Sequence, residues 1–225
     1  MDALQALETP PHWSAECGTP FDSKLLELCS SIGNVLSFHD LQGGRLIQDI
    51  LPIIEDANCQ VGSGAIKLEL HTEDPSIEGR ADYLGFLCVS NIDRIPTIVS
   101  MPDFSALSAR ARTRLKEPVF PIRSDRGISF RSRMVSPLVA TSNGGFRMIY
   151  DPVYLIREDV EPRDLLAFDE LTELVEGSVE DLTLKEGDIA FIDNYQVAHG
   201  RPRYSPRYDG TDRWLKRVQI SLRPL

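Results

Sequence analysis

The chain has 225 residues, 42% of them hydrophobic, and a formal net charge of −10. That length suits one domain with a sizeable core, and the acidic balance argues against nucleic acid or an anionic membrane as the main partner. No apolar run is long enough to span a bilayer, and the opening MDALQALETPPHWSAE lacks the basic start and apolar run of a secretory signal. Cys17, Cys29, Cys59 and Cys88 show neither CxxC spacing nor a disulfide framework, which fits a reducing cytoplasm. The expectation is a cytoplasmic protein with a small-molecule partner; the composition leaves its oligomeric state open.

Residues 1–34 are expected to be a lead-in ending in a short helix. FDSKLLELCSSIGN (21–34) places Leu25, Leu26 and Cys29 on one face, with Asp22 or Ser23 to cap it and Gly33 to stop it. Strand patterns follow at 66–73, 83–91, 95–101, 119–123, 128–135, 146–156, 188–200 and 213–222, punctuated by Gly, Pro, Asn and Asp. Helical stretches interrupt them at 105–115 and 165–177. With no repeat, low-complexity tract or linker, residues 1–225 read as a single mainly β domain, a sandwich or a barrel.

The strand at 66–73, IKLELHTE, ends in His71-Thr72-Glu73. Period-two alternation puts residues i and i+2 on one face, so His71 and Glu73 suit one metal ion; a strand running out into solvent gives the same triplet. A second histidine, His199 in AFIDNYQVAHGRPR, also ends an apolar strand, beside Gly200. His12 and His39 read as ordinary surface or core residues. Two imidazoles and one carboxylate make the facial triad of non-haem Fe(II) oxygenases, whose open positions take a cosubstrate and dioxygen. Fourteen residues past His199 begins RWLKRVQISL, in which Arg213, Leu215 and Arg217 share a face. Two arginines beside a leucine are odd for a solvated strand, and each guanidinium can clamp a carboxylate through two parallel hydrogen bonds.

HTED at 71–74 with DYLGFLCVSN behind it, and HGRPRYSPRYDGTDRWLKR at 199–217, resemble the clavaminate-synthase-like Fe(II)/2-oxoglutarate oxygenases. Within that family the resemblance is to the free amino-acid hydroxylases of arginine, lysine and asparagine, and it covers residues 35–225. LQGGRLIQDILPI (41–53) is similar to the segment ahead of their metal motif. The resemblance implies a double-stranded β-helix (jelly roll, cupin-like barrel) with flanking α-helices. Its core would run from 35 to 225, with a lid loop near 103–127. It implies Fe(II) held by His71, Glu73 and His199, and 2-oxoglutarate and dioxygen (O2) as cosubstrates. Arg213 would bind the distal carboxylate of 2-oxoglutarate, with Thr97 in support. Arg217 would hold the α-carboxylate of the amino acid, Gln42 and Ser63 its backbone polar groups, and Glu73 its ammonium. Asp151, in RMIYDPVYL, falls where arginine hydroxylases place a carboxylate against a cationic side chain; an Asp before Pro152 is equally a turn former.

Two departures from the family pattern stand out. Asp74-Pro75-Ser76-Ile77 replaces an acid-aromatic-histidine continuation, and the segment ahead of Gln42 is short. The carboxylate of Glu73 favours hydroxylation over halogenation, since halogenating relatives give that position to chloride. The expected function is therefore hydroxylation of a free, basic amino acid. A desaturase or cyclase of the same family, a non-catalytic jelly-roll ligand-binding module and a zinc hydrolase are the alternatives.

Overall fold

The computed structural model describes residues 7–15, 17–124 and 132–223. In chain order the elements are α1 (Asp22–Ile32), β1 (Asn34–Leu36), β2 (Gln48–Ile50), β3 (Leu68–His71), β4 (Tyr83–Ser90) and β5 (Thr97–Ser100). Then come α2 (Ala109–Arg114), β6 (Phe120–Arg123), β7 (Ser132–Val135), β8 (Leu138–Ala140) and β9 (Phe146–Met148). The chain continues with α3 (Pro162–Gly177), β10 (Val179–Leu182), β11 (Ile189–Asp193), β12 (Ala198–Arg201) and β13 (Trp214–Ser221). Among the described residues no helix is long and apolar enough to cross a membrane.

Every strand pairing is antiparallel. One sheet runs β1-β13-β4-β11, with β2 also paired to β13; the other runs β10-β5-β12-β3. Two hairpins, β6–β7 and β8–β9, lie outside them. The fold is thus mainly β, as the strand patterns imply. Alternation along each strand decides what it faces. On the second sheet Leu70, Ile98 and Ala198 join a core with Phe120, Tyr150 and Phe168, which seats α3 and the hairpins. Their sequence neighbours His71, Thr97 and His199 point the other way. On the first sheet Leu215 packs with Phe86 and Cys88, while Val218 and Ile220 on the opposite face pack against Leu25 and Cys29 of α1.

Several expected elements change shape. The strand expected at 188–200 is two strands in different sheets, because Asp193 Oδ1 accepts the N–H groups of Tyr195 and Gln196 and turns the chain. The strand expected at 146–156 stops at Met148, and Asp151 Oδ1 accepts the N–H groups of Val153 and Tyr154 in another turn. In the 105–115 helix, Phe104–Ala106 is a 3-10 turn, and the α-helix begins only after Ser108 caps it. Helix α3 starts earlier than expected, with Pro162 in its first turn, where a missing N–H is harmless. Gly33 ends α1 in extended backbone, and a Cβ there would meet the Ser221 carbonyl at 2.5 Å. Of the strand expected at 128–135, residues 132–135 form β7 and 128–131 lie outside the described residues. β1, β2 and β8, three residues each, are too short to show a period in sequence, and β10 (VEDL) does not alternate.

Candidate active site

A cavity of about 430 Å³ opens between the two sheets, lined by residues from both. His71 and His199 are Cα partners across β3 and β12, and their ring centres lie 4.5 Å apart. Glu73 follows β3 in a turn completed by Asp74 at φ 52°, left-handed backbone that Asp tolerates better than most residues. One donor atom from each of His71, Glu73 and His199 lies within 4.8 Å of the others, a compact N,N,O cluster.

The electrostatics fit a divalent ion. His71 Nδ1 donates to the Glu69 carbonyl at 2.8 Å, so its Nε2 keeps a free lone pair. Burial, with the neighbouring His71 ring, pushes His199 down to about 4, leaving it neutral at ordinary pH. Burial alone would raise Glu73, but Arg217 and the two imidazoles overrule it and hold the carboxyl well below its usual range. Arg217 Nη1 donates to Glu73 Oε2 at 2.5 Å, and His199 Nε2 lies 3.6 Å from the same oxygen. His199 Nδ1 is buried with no hydrogen-bond partner among the described residues. Two imidazoles beside an anionic carboxylate are the donor set that a divalent iron takes.

Arg213 faces the same cavity. It is 8% exposed, its Nη2 donates to Thr97 Oγ1 at 2.7 Å, and its buried Nε has no hydrogen-bond partner among the described residues. Among the described residues no Asp or Glu comes within ion-pair distance of it, although burial lowers it only to about 10 and leaves it charged. A buried guanidinium without a counter-charge is costly, and a carboxylate entering the cavity would remove that cost. The resident residues therefore fit a dicarboxylate that reaches from the His71–Glu73–His199 cluster to Arg213.

The remaining expected site residues divide. Arg217 and Asp151 line the cavity, and burial raises the Asp151 carboxyl. Gln42 and Ser63 also line it, but their polar ends are committed elsewhere. Gln42 exchanges two hydrogen bonds of 2.9 Å with the backbone of Asp49, and the Ser63 hydroxyl donates to Asp56. They shape the wall more than they offer free donors. From the expected lid at 103–127, residues 103–124 do not line the cavity; Phe104, Leu107, Leu115 and Phe120 are buried in the core beneath α3, and 125–127 lie outside the described residues. Trp13 and Asp40 lie on the cavity wall instead.

Three residues that the sequence did not single out hold the cluster in place. Asn194 accepts the Glu73 N–H at 2.7 Å and donates to its carbonyl at 3.1 Å. Arg80, stacked 4.3 Å from the Tyr195 ring centre, donates to the same carbonyl at 3.0 Å. Arg201 ties β12 to the 57–66 loop. The one sequence signal was the polar Asn194 inside FIDNY, which reads equally as turn chemistry.

Comparison with known proteins places these features in a family. The model of the taurine catabolism dioxygenase TauD, TfdA family matches residues 106–219, which include His199, Arg213 and Arg217. An L-ornithine/L-arginine 3-hydroxylase of Catenulispora acidiphila is 32% identical over 95% of this chain and 71% of its own. An enduracididine beta-hydroxylase of Streptomyces hygroscopicus is 29% identical over 86% of this chain, which spans 65% of that relative's length. The crystal structure of the non-heme iron oxygenase OrfP in complex with Fe and alpha-ketoglutaric acid superposes with a TM-score of 0.87 at 32% identity, covering 99% of this chain and 72% of that one.

Proposed function

The chain belongs to the TauD/TfdA dioxygenase family, and from that premise we propose that it is an Fe(II)- and 2-oxoglutarate-dependent hydroxylase of a free, basic amino acid. The reading treats the two facing sheets as a double-stranded β-helix, a jelly roll with flanking helices. One observation carries it above the rest: a buried Arg213, with no carboxylate partner among the described residues, lies in the cavity that holds the His71–Glu73–His199 cluster. A zinc hydrolase would have no use for that cation.

His71, Glu73 and His199 would hold the iron, and Arg213 with Thr97 the distal carboxylate of 2-oxoglutarate. Bound iron supplies dioxygen activation coupled to decarboxylation of 2-oxoglutarate to succinate and CO2, and with it insertion of one oxygen into an unactivated C–H bond. Arg217 offers a second guanidinium, which suits the α-carboxylate of a free amino acid, while Glu73 accepts its ammonium. Asp151 keeps two backbone N–H groups on one oxygen and presents a carboxylate to the cavity for a cationic side chain. The apolar wall, including Phe86 and Leu215, excludes water from the reacting carbon. The four cysteines, all free, suit a cytoplasmic setting.

The test is a screen of free amino acids with Fe(II), 2-oxoglutarate and dioxygen, read by mass spectrometry. Arginine, ornithine or lysine should gain one oxygen atom with matching succinate. Loss of two hydrogens instead would make the protein a desaturase or cyclase, and cosubstrate binding without succinate a ligand-binding module. Turnover that ignores dioxygen would overturn the assignment.

A further inference from the structure

Arg201, two residues beyond His199 on β12, is 3% exposed and has no carboxylate within ion-pair distance among the described residues. Its Nη1 donates to the Gly64 carbonyl at 2.8 Å and its Nη2 to the Ile66 carbonyl at 2.7 Å. Its guanidinium carbon lies 4.5 Å from the centre of the Tyr204 ring, and the Tyr204 N–H donates to the Ala65 carbonyl at 3.1 Å. The three successive carbonyls of residues 64–66 are therefore all gripped by the stretch that follows the candidate ligand His199.

The other side of this segment closes a loop. The N–H groups of Ala65 and Ile66 both donate to the Ala57 carbonyl, at 3.0 and 3.3 Å. The loop between carries Gln60, Val61, Gly62 and Ser63 onto the cavity wall. Gly200 lets the two strands come this close, since a Cβ there would meet the Leu68 carbonyl at 2.5 Å. A planar guanidinium fixes two acceptors at set positions, which a single ammonium or amide cannot do. Thr97 and Arg213, by contrast, sit on β5 and just ahead of β13, which this loop does not touch through any of these bonds.

We propose that Arg201 is a positioning residue that fixes the 57–66 loop against the strand carrying His199, and so sets affinity for the amino-acid substrate and not for 2-oxoglutarate. The proposal rests on the hydroxylase reading above. The rival role for a buried cation near Arg213 is to add positive potential for the cosubstrate.

Arg201→Lys keeps the charge and Arg201→Gln removes it, but neither spans both carbonyls. Hydrogen exchange of the metal-free proteins should show amides of residues 57–66 opening at least roughly ten-fold faster in both variants, with β4 and β13 unchanged, the scale of one lost charge-assisted bond. KM for L-arginine, or for whichever amino acid the wild type turns over, should rise at least roughly ten-fold in both, with a smaller change in kcat. Affinity for 2-oxoglutarate, titrated calorimetrically with Zn(II) in place of iron, should move by less than about three-fold, which also shows that the variants fold. Unchanged loop exchange would overturn the proposal. So would weakened 2-oxoglutarate binding in the Gln variant that Lys restores, with KM for the amino acid unaltered. If either variant fails to fold, Tyr204→Leu, which removes only the stacking ring, must show the same loop opening and KM rise or the proposal falls. A wild type that neither binds nor consumes 2-oxoglutarate would defeat the hydroxylase reading itself, whereas the exchange experiment judges the clamp independently.

Discussion

At the scale of single residues the cavity is organised by which charges have partners. Arg217 has Glu73, while among the described residues Arg213 is hydrogen-bonded only to the Thr97 hydroxyl. Thr97→Val keeps the shape and removes that acceptor, so the guanidinium loses one fixed orientation. A hydrogen bond to a charged group contributes about 1.5–3 kcal/mol, so 2-oxoglutarate affinity should fall roughly ten- to hundred-fold by calorimetry. Unchanged affinity in Thr97→Val would separate the hydroxyl from cosubstrate binding. Arg213→Ala should cost more, about 2–5 kcal/mol, because the incoming carboxylate itself is left unpaired. Equal weakening of amino-acid binding with no effect on 2-oxoglutarate would move that role elsewhere. The residues most legible in sequence were those whose chemistry is unusual for their place: histidines ending core strands, and arginines alternating with leucine. Asn194, Arg80 and Arg201 were not legible, because their partners are backbone groups that every sequence supplies.

At the scale of elements, the approach of β12 to β3 brings the two imidazoles together. The pairing shifts register between His199 and Arg201, where Gly200 stands opposite Glu69 and Leu70 of β3. Gly200→Ala would drive a Cβ into the Leu68 carbonyl, and because that obstacle is backbone, the strands must part. Overpacking of this kind costs about 1–3 kcal/mol, so the melting temperature should drop by several degrees and Fe(II) affinity with it. A variant with native melting and native iron binding would show that the strands have slack here. Strand patterns in the sequence located β3, β4, β5 and β13 because each alternates between a core and the cavity. They merged β11 with β12, since the Asp193 turn between them contains neither Gly nor Pro and hides inside an apolar run.

At the scale of the whole molecule, the back of β13 is fastened by an ion that composition alone would place on the surface. Lys216 is 0% exposed; its Nζ donates to the Cys17 carbonyl at 2.6 Å and to Asp49 Oδ1 at 3.0 Å, and lies 3.3 Å from Asp22. Trp214 Nε1 donates to the same Asp49 oxygen at 2.8 Å, and Arg45 pairs with the other at 2.9 Å. One cluster thus joins the amino-terminal segment, α1, β2 and β13. Alternation placed Lys216 on the face opposite Arg217, but nothing in the sequence showed that α1 and residues 13–17 would cover that face. Replacing Lys216 by Met fills the space yet strands Asp49 in the interior with two partners in place of three. Breaking one side of a buried pair typically costs about 3–5 kcal/mol, much of it from the charge left behind. Chemical denaturation of Lys216→Met should show a loss of that order. Removing the anion as well, in Lys216→Met with Asp49→Leu, should recover part of it despite the lost Arg45 and Trp214 contacts. Because Lys216 and Arg217 face opposite sides of β13, 2-oxoglutarate affinity of the folded single variant should stay near that of the wild type. A Lys216→Met protein as stable as its parent would mean that the segment, helix and sheet hold together by apolar packing alone.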